Sequence, residues 1–319
     1  MEVSQTWLFR EAVEAKNITL HLLRRFRESP VLLAYLIVGT IVAVIESGVT
    51  GLVDTAINWL ILGVSAVLIL RMTEKRTVEA VPIRRPKGEL IAGLAFYGLD
   101  MLLLVLFWRL LPVSTVQSGF TSFMNTVGGS ASNFIFYLGG TQPTVDLAAN
   151  AAQSICLELV PILILFFACG YGARGMGLRF RWGKLIVALL AISFVPALLL
   201  RQQILLFAHP LLETLALFVF QMLVNGFPEE LFCRGFLLPR LERALKNPVN
   251  ALVLTSILFD AMHIPTHIAH GVSFPMVLLG ILDVSFPSGL LWGYLYQRTR
   301  SIVPGALIHT FYSFVPYFL

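Results

Sequence analysis

Long apolar runs separated by short polar segments dominate this chain. Nine of them reach or approach the ~20 residues a helix needs to cross the bilayer core. They lie at 31–47, 54–70, 89–111, 147–170, 184–200, 211–228, 249–264, 274–297 and 302–319. Four runs are short (the first two, 184–200 and 249–264), so one of these can be tilted or re-entrant. The pattern predicts an all-α polytopic membrane bundle of about eight or nine transmembrane helices. Residues 1–30 differ. Basic Arg10, Lys16, Arg24, Arg25 and Arg27 alternate there with acids and with Trp7, Leu8, Leu20, Leu22, Leu23 and Phe26. Without a compact apolar core or a small-residue cleavage site, they predict an amphipathic segment at the membrane surface.

Composition agrees. The chain is 57% apolar and 13% charged, against about 25% charged in a soluble domain. With the N-terminus inside and sides alternating, the inner segments hold 21 of the 23 Lys and Arg residues. The outer 112–146 segment has none, and only Arg109 and Arg201 fall elsewhere. This asymmetry predicts an N-terminus at the inner, cytoplasmic face. The net charge of +5 is therefore a topology signal; the expected surroundings are a lipid bilayer, and no nucleic-acid partner is expected. Cys156, Cys169 and Cys233 show no CxxC spacing and read as buried thiols. No internal repeat is visible, which argues against a transporter built from two related halves.

Candidate chemistry is confined to the C-terminal part, so the chain divides into the amphipathic segment 1–30, a membrane scaffold 31–180 and a catalytic membrane core 181–319. An ionisable side chain at bilayer depth persists when it is paired, hydrated or functional. Three places stand out. In Pro228-Glu229-Glu230-Leu231-Phe232-Cys233-Arg234, Glu230 and Arg234 are spaced for a helical ion pair. Glu229 points about 100° away and stays free. Pro228 removes a backbone bond to the Val224 carbonyl and loosens the helix there. Phe259 and His263 share a helix face at i, i+4, as do His309 and Ser313. A carboxylate, two imidazoles, a hydroxyl and a paired arginine form a set able to split an amide with water. Glu229 would be the general base. His263 would share the proton traffic and protonate the leaving amine. His309 with Ser313 would hydrogen-bond the oxyanion. Asp100 and Asp283 read as helix–helix hydrogen-bonding groups, and Gly289 with Gly293 as a site of close helix packing.

The three motifs resemble those of the CAAX protease and bacteriocin-processing family, which has Glu-Glu-x-x-x-Arg, Phe-x-x-x-His and His-x-x-x-Asn/Asp in this order. Here they read Glu229-Glu230…Arg234, Phe259…His263 and His309…Ser313. The run from Gly289 to His309 also looks like the family's approach to its third motif. The resemblance covers roughly residues 180–319. It implies an intramembrane endopeptidase with Glu229, His263 and His309 as catalytic residues, supported by Glu230, Arg234, Phe259 and position 313. The substrate would be membrane-bound: a CAAX-type prenylated protein, or a leader or anchor peptide. The resemblance leans toward a glutamate-activated water with no metal; a zinc ion held by Glu229, His263 and His309 is the alternative by ligand type. His263, His267 and His270 are not expected to align on a metal, because Pro265 interrupts their helix. Ser313 departs from the family's Asn or Asp. It supports the alternative of a weak or inactive member acting as a membrane adaptor or immunity protein.

Overall fold

A computed structural model describes residues 29–74, 78–105, 122, 126–131, 133, 142–180, 182–199, 211–269, 271–283 and 288–314. Among them every regular element is a helix. The expected N-terminal amphipathic segment, most of 112–141, Arg109, Arg201 and His270 lie outside the described residues.

Helix α1 spans Pro30–Thr73. At 1.5 Å per residue a straight helix of this length would run about 66 Å, twice a bilayer core. It breaks at Gly48, with φ 62° and ψ −155°, a backbone conformation that glycine reaches without a Cβ clash. The break separates the first two predicted runs. Helix α2 (Pro86–Val105) follows. Helix α3 (Gln142–Ser154) continues through a π turn, Ile155–Leu159, into α4 (Val160–Ala168). Helix α5 is Gly183–Leu199.

The sixth run does not stop near residue 228. Helix α6 (Leu211–Gln221), a π turn (Met222–Gly226), α7 (Phe227–Glu230), a second π turn (Leu231–Leu237) and α8 (Leu238–Leu245) form one continuous rod. The polar residues after 228 remain helical because residues 228–241 are buried on all sides. The rod ends where Lys246 adopts the left-handed conformation, φ 53°. Asn247 then caps α9 (Pro248–Ala261) by accepting from the N–H groups of Val249 and Asn250. Short α10 (Ile264–Ala269) follows. The run 274–297 is two helices, α11 (Phe274–Leu282) and α12 (Ser288–Thr299). Asp283 caps the end of α11 in extended conformation and so does not sit inside a helix as expected. Helix α13 is Val303–Phe314.

The rod is the axis of the molecule. Phe232, Phe236, Leu237 and Leu238 pack with Phe166 of α4, Trp292 and Tyr296 of α12 and Ile302 in the main core. Helix α2 packs against α8, α9 against α8 and α12, and α13 against the first π turn of the rod. The opposite faces are apolar and uncovered. Ile37, Ile41 and Ile45 on α1 are 53%, 54% and 66% exposed, and Ile91 on α2 is 68% exposed. Repeating helix faces of this kind are incompatible with water and suit lipid tails. Thr55–Thr73, Ala151–Ala168, Thr214–Leu245 and Pro248–Ile268 are each long and apolar enough to cross a membrane, and Pro30–Ile45 and Gly183–Ile192 are shorter apolar helices. The chain is an integral membrane protein; four such spans are present among the described residues.

Candidate active site

The site begins where the rod opens. Pro228 has no N–H for the Val224 carbonyl four residues back, and π turns lie on both sides of it. The hydroxyl of Ser154 on α3 reaches that carbonyl instead, at 3.0 Å. π turns of this kind are frequent at functional sites, because they redirect side chains without ending the helix. Here they flank the short α7, which carries Glu229 and Glu230.

The two acids have different surroundings. Glu230 is fully buried and pairs with Arg234, its Oε1 2.9 Å from Nη1. Arg234 is also fully buried; its Nη2 donates to the Gly289 carbonyl at 3.2 Å, and its guanidinium lies 4.4 Å from the centre of the Phe259 ring. Glu229 keeps 9% exposure against 0% for Glu230, so Glu229 is the acid that can meet water. His309 of α13 stands between them. Its Nε2 is 3.6 Å from Glu229 Oε2 and its Nδ1 is 3.5 Å from Glu230 Oε1. Glu229 Oε2 and both oxygens of Glu230 have no well-aligned hydrogen-bond partner among the described residues.

Aromatic rings fix the imidazoles. Trp292 stacks on His309 at 4.0 Å and 19°, holding the ring plane that faces the acids. The Phe259 ring is 5.6 Å from His309 and 5.4 Å from His263, edge-on to each. His263 Nδ1 lies 3.2 Å from the Phe259 carbonyl. A carbonyl only accepts, so Nδ1 is the donor in this contact.

Small residues let the helices meet. A Cβ at Gly226 would fall on Thr310 Oγ1 and 2.7 Å from the Ala306 carbonyl; one at Gly305 would come within 2.7 Å of Glu230 Oε2. These two glycines bring α13 against the acidic turn. Gly289 and Gly293 do the same for α12 against α9, at Ser256 and Leu252, as their spacing predicts.

Five predicted residues therefore converge: Glu229, Glu230, Arg234, Phe259 and His309. His263 joins through Phe259, and no ion pair or hydrogen bond links it to Glu229 among the described residues. Ser313 lies one turn beyond His309, half-buried, and is not bonded to either acid among the described residues. Trp292, Gly226 and Gly305 were not predicted. The periodicity of the rod, α12 and α13 gave no reason to separate them from ordinary packing residues. No group of three or more His, Cys, Asp or Glu side chains converges as a metal site among the described residues; His263 and His309 contact the same Phe259 ring. His267 is exposed.

Residues 211–315 match the family model of the type II CAAX prenyl endopeptidase Rce1-like proteins. The match supports the resemblance of these motifs to the CAAX protease and bacteriocin-processing family. No curated protein and no solved structure matches the chain. The family segment contains all the predicted site residues, together with Trp292, Gly226 and Gly305. It leaves α1 to α5 outside.

Proposed function

We propose that this protein is an intramembrane endopeptidase in which Glu229 activates water against a peptide bond of a membrane-bound substrate. The observation that carries this reading is the unequal acid pair at bilayer depth: Glu230 is neutralised by Arg234, while Glu229 has residual exposure and an imidazole beside it. The match to a family of CAAX-type proteases supports it.

In the proposed reaction a water lies between Glu229 and the scissile carbonyl. The Glu229 carboxylate takes one proton, and the water oxygen bonds to the carbonyl carbon. The carbonyl oxygen becomes an oxyanion, toward which His309 donates, its ring oriented by Trp292. The carbon–nitrogen bond then breaks, and the amine leaves with a proton supplied through His263. The chain's own residues provide the acid–base groups for these steps. A hydrolytic site at bilayer depth suits substrates that are themselves in the membrane, such as a CAAX-type lipidated C-terminus or a single-pass leader or anchor. We infer that the N-terminus faces the inner side and that the helices before residue 181 serve as scaffold.

The test is cleavage of prenylated and leader-type peptides by purified protein in nanodiscs, wild type beside Glu229→Ala, with and without a chelator. Cleavage by the wild type, lost in Glu229→Ala and untouched by the chelator, is the expected outcome. Loss with chelator and recovery with zinc would replace the metal-free reading by one with Glu229, His263 and His309 as ligands. A well-folded wild type that cleaves nothing would favour the adaptor reading, which Ser313 supports.

A further inference from the structure

A third carboxylate lies close to Glu229 and has no part in the reaction proposed above. Glu158 sits in the π turn Ile155–Leu159, inside the membrane-length segment Ala151–Ala168. It is within Coulombic reach of Glu229 and Asp100. No cation pairs with it among the described residues, and an acid at this depth has to be paired or neutral. Its hydrogen bonding distinguishes the two. Ser154 Oγ lies 3.0 Å from the Val224 carbonyl and 3.2 Å from Glu158 Oε2. A hydroxyl carries one hydrogen. For both contacts to be hydrogen bonds, the carbonyl, which can only accept, takes that hydrogen. The contact between Ser154 and Glu158 then closes when the carboxyl group supplies the other.

We propose that Glu158 is a neutral carboxylic acid that positions Glu229. It donates to Ser154, Ser154 donates to Val224, and the relay fixes the turn that Pro228 opens one residue before Glu229. Neutrality matters as well as the hydrogen bond. An ionised Glu158 would oppose a charge on Glu229, the acid that has to take a proton from water. A proline that removes a helix hydrogen bond is tolerated in a membrane when a neighbouring side chain satisfies the carbonyl. Ser154 does so here, and Glu158 orients Ser154. The catalytic consequence rests on the endopeptidase reading; the neutral relay does not.

Two measurements test it. The first is the infrared difference spectrum of wild type minus Glu158→Gln in nanodiscs at neutral pH. The expected result is a protonated-carboxyl C=O band that disappears in E158Q and shifts in Ser154→Ala. A spectrum without this band overturns the proposal, whatever the protein cleaves. The second is peptide cleavage. Ser154→Ala and Glu158→Ala are expected to lower kcat about 10- to 100-fold with little change in KM, the size of effect that follows from a small misplacement of a reacting group. Glu158→Gln, whose amide N–H replaces the acid hydrogen, is expected to restore the rate. Full activity in Glu158→Ala overturns the positioning role, as does E158Q as slow as E158A. A wild type that cleaves nothing while the band is present removes the endopeptidase reading, and the positioning role with it.

Discussion

Arg234 and Arg240 stand on the same rod, both fully buried, yet they organise opposite kinds of polar cluster. Arg240 faces one acid, Glu89 of α2, to which its Nε donates at 3.0 Å. The Tyr171 hydroxyl, with its one hydrogen, lies 2.8 and 2.9 Å from the two Glu89 oxygens, and the backbone N–H of Arg85 donates to Oε1 at 2.7 Å. Burial raises the Tyr171 hydroxyl above its ordinary value, so it stays a donor. Arg240 Nη1 donates to the Phe236 carbonyl, Nη2 lies 2.9 Å from Glu89 Oε2, and the guanidinium lies 3.8 Å from the centre of the Phe236 ring. Charges balance and each carboxylate oxygen is bonded; this is a clamp joining α2 to the rod. Arg234 faces two acids and an imidazole. One acid is paired, the other is not, and three carboxylate oxygens lack an aligned donor. A satisfied buried network rigidifies a fold. A network left short of donors and of positive charge carries a cost in stability that the packing around it must offset.

Substitutions that separate activity from stability break or sharpen this contrast. The largest effect is expected at Glu229→Gln: cleavage should fall about 10²- to 10⁴-fold, the usual contribution of a general base, with the melting temperature in detergent unchanged. Should E229Q melt early instead, the unequal pair would be another clamp. Glu89→Ala is expected to do the reverse. It leaves Arg240 buried and uncompensated, so stability should drop by about 3–5 kcal/mol, read from thermal unfolding in nanodiscs, while the folded fraction keeps its cleavage rate. Gly226→Ala forces a methyl against Thr310 and the Ala306 carbonyl. About 1–3 kcal/mol of overpacking is expected, with a slower rate because α13 and its His309 move away from the acids. The smallest effect is expected at Trp292→Leu. It loses about 0.5–1.5 kcal/mol of ring stacking and lowers kcat more than it raises KM, because His309 is then free to rotate. A Trp292→Leu enzyme at full rate would show that His309 needs no aromatic support.

Much of this was legible in the chain because it is local. The i, i+4 spacing of Glu230 and Arg234 is an ion pair in the structure, and the same spacing puts His263 against Phe259. Helical periodicity also predicts that Glu229 and Glu230 face different surroundings. The opening at Pro228 follows from the missing N–H of proline. The helix boundaries were less legible. Hydropathy ends a run at the first cluster of charges, yet the rod continues through Glu229, Glu230 and Arg234, because these charges are buried against partners that come from elsewhere. Apolar composition also joined α11 and α12 into one run, although α11 ends at Asp283 in extended conformation.

The sequence by itself determined that the chain lives in a bilayer, that it is helical, and which ionisable side chains stand in or beside its apolar runs. Those properties depend on residue type and on spacings of a few positions, which the helix repeat converts directly into faces. Only the tertiary structure decided that His309 stands between the two acids, that Trp292 holds its ring, that Glu89 and Arg240 form a closed clamp, and that Ser154 of α3 reaches the carbonyl opened by Pro228. Each of these contacts joins residues on different helices. Their meeting is set by where glycines such as Gly226 and Gly305 let two backbones approach, a distance that no local period encodes.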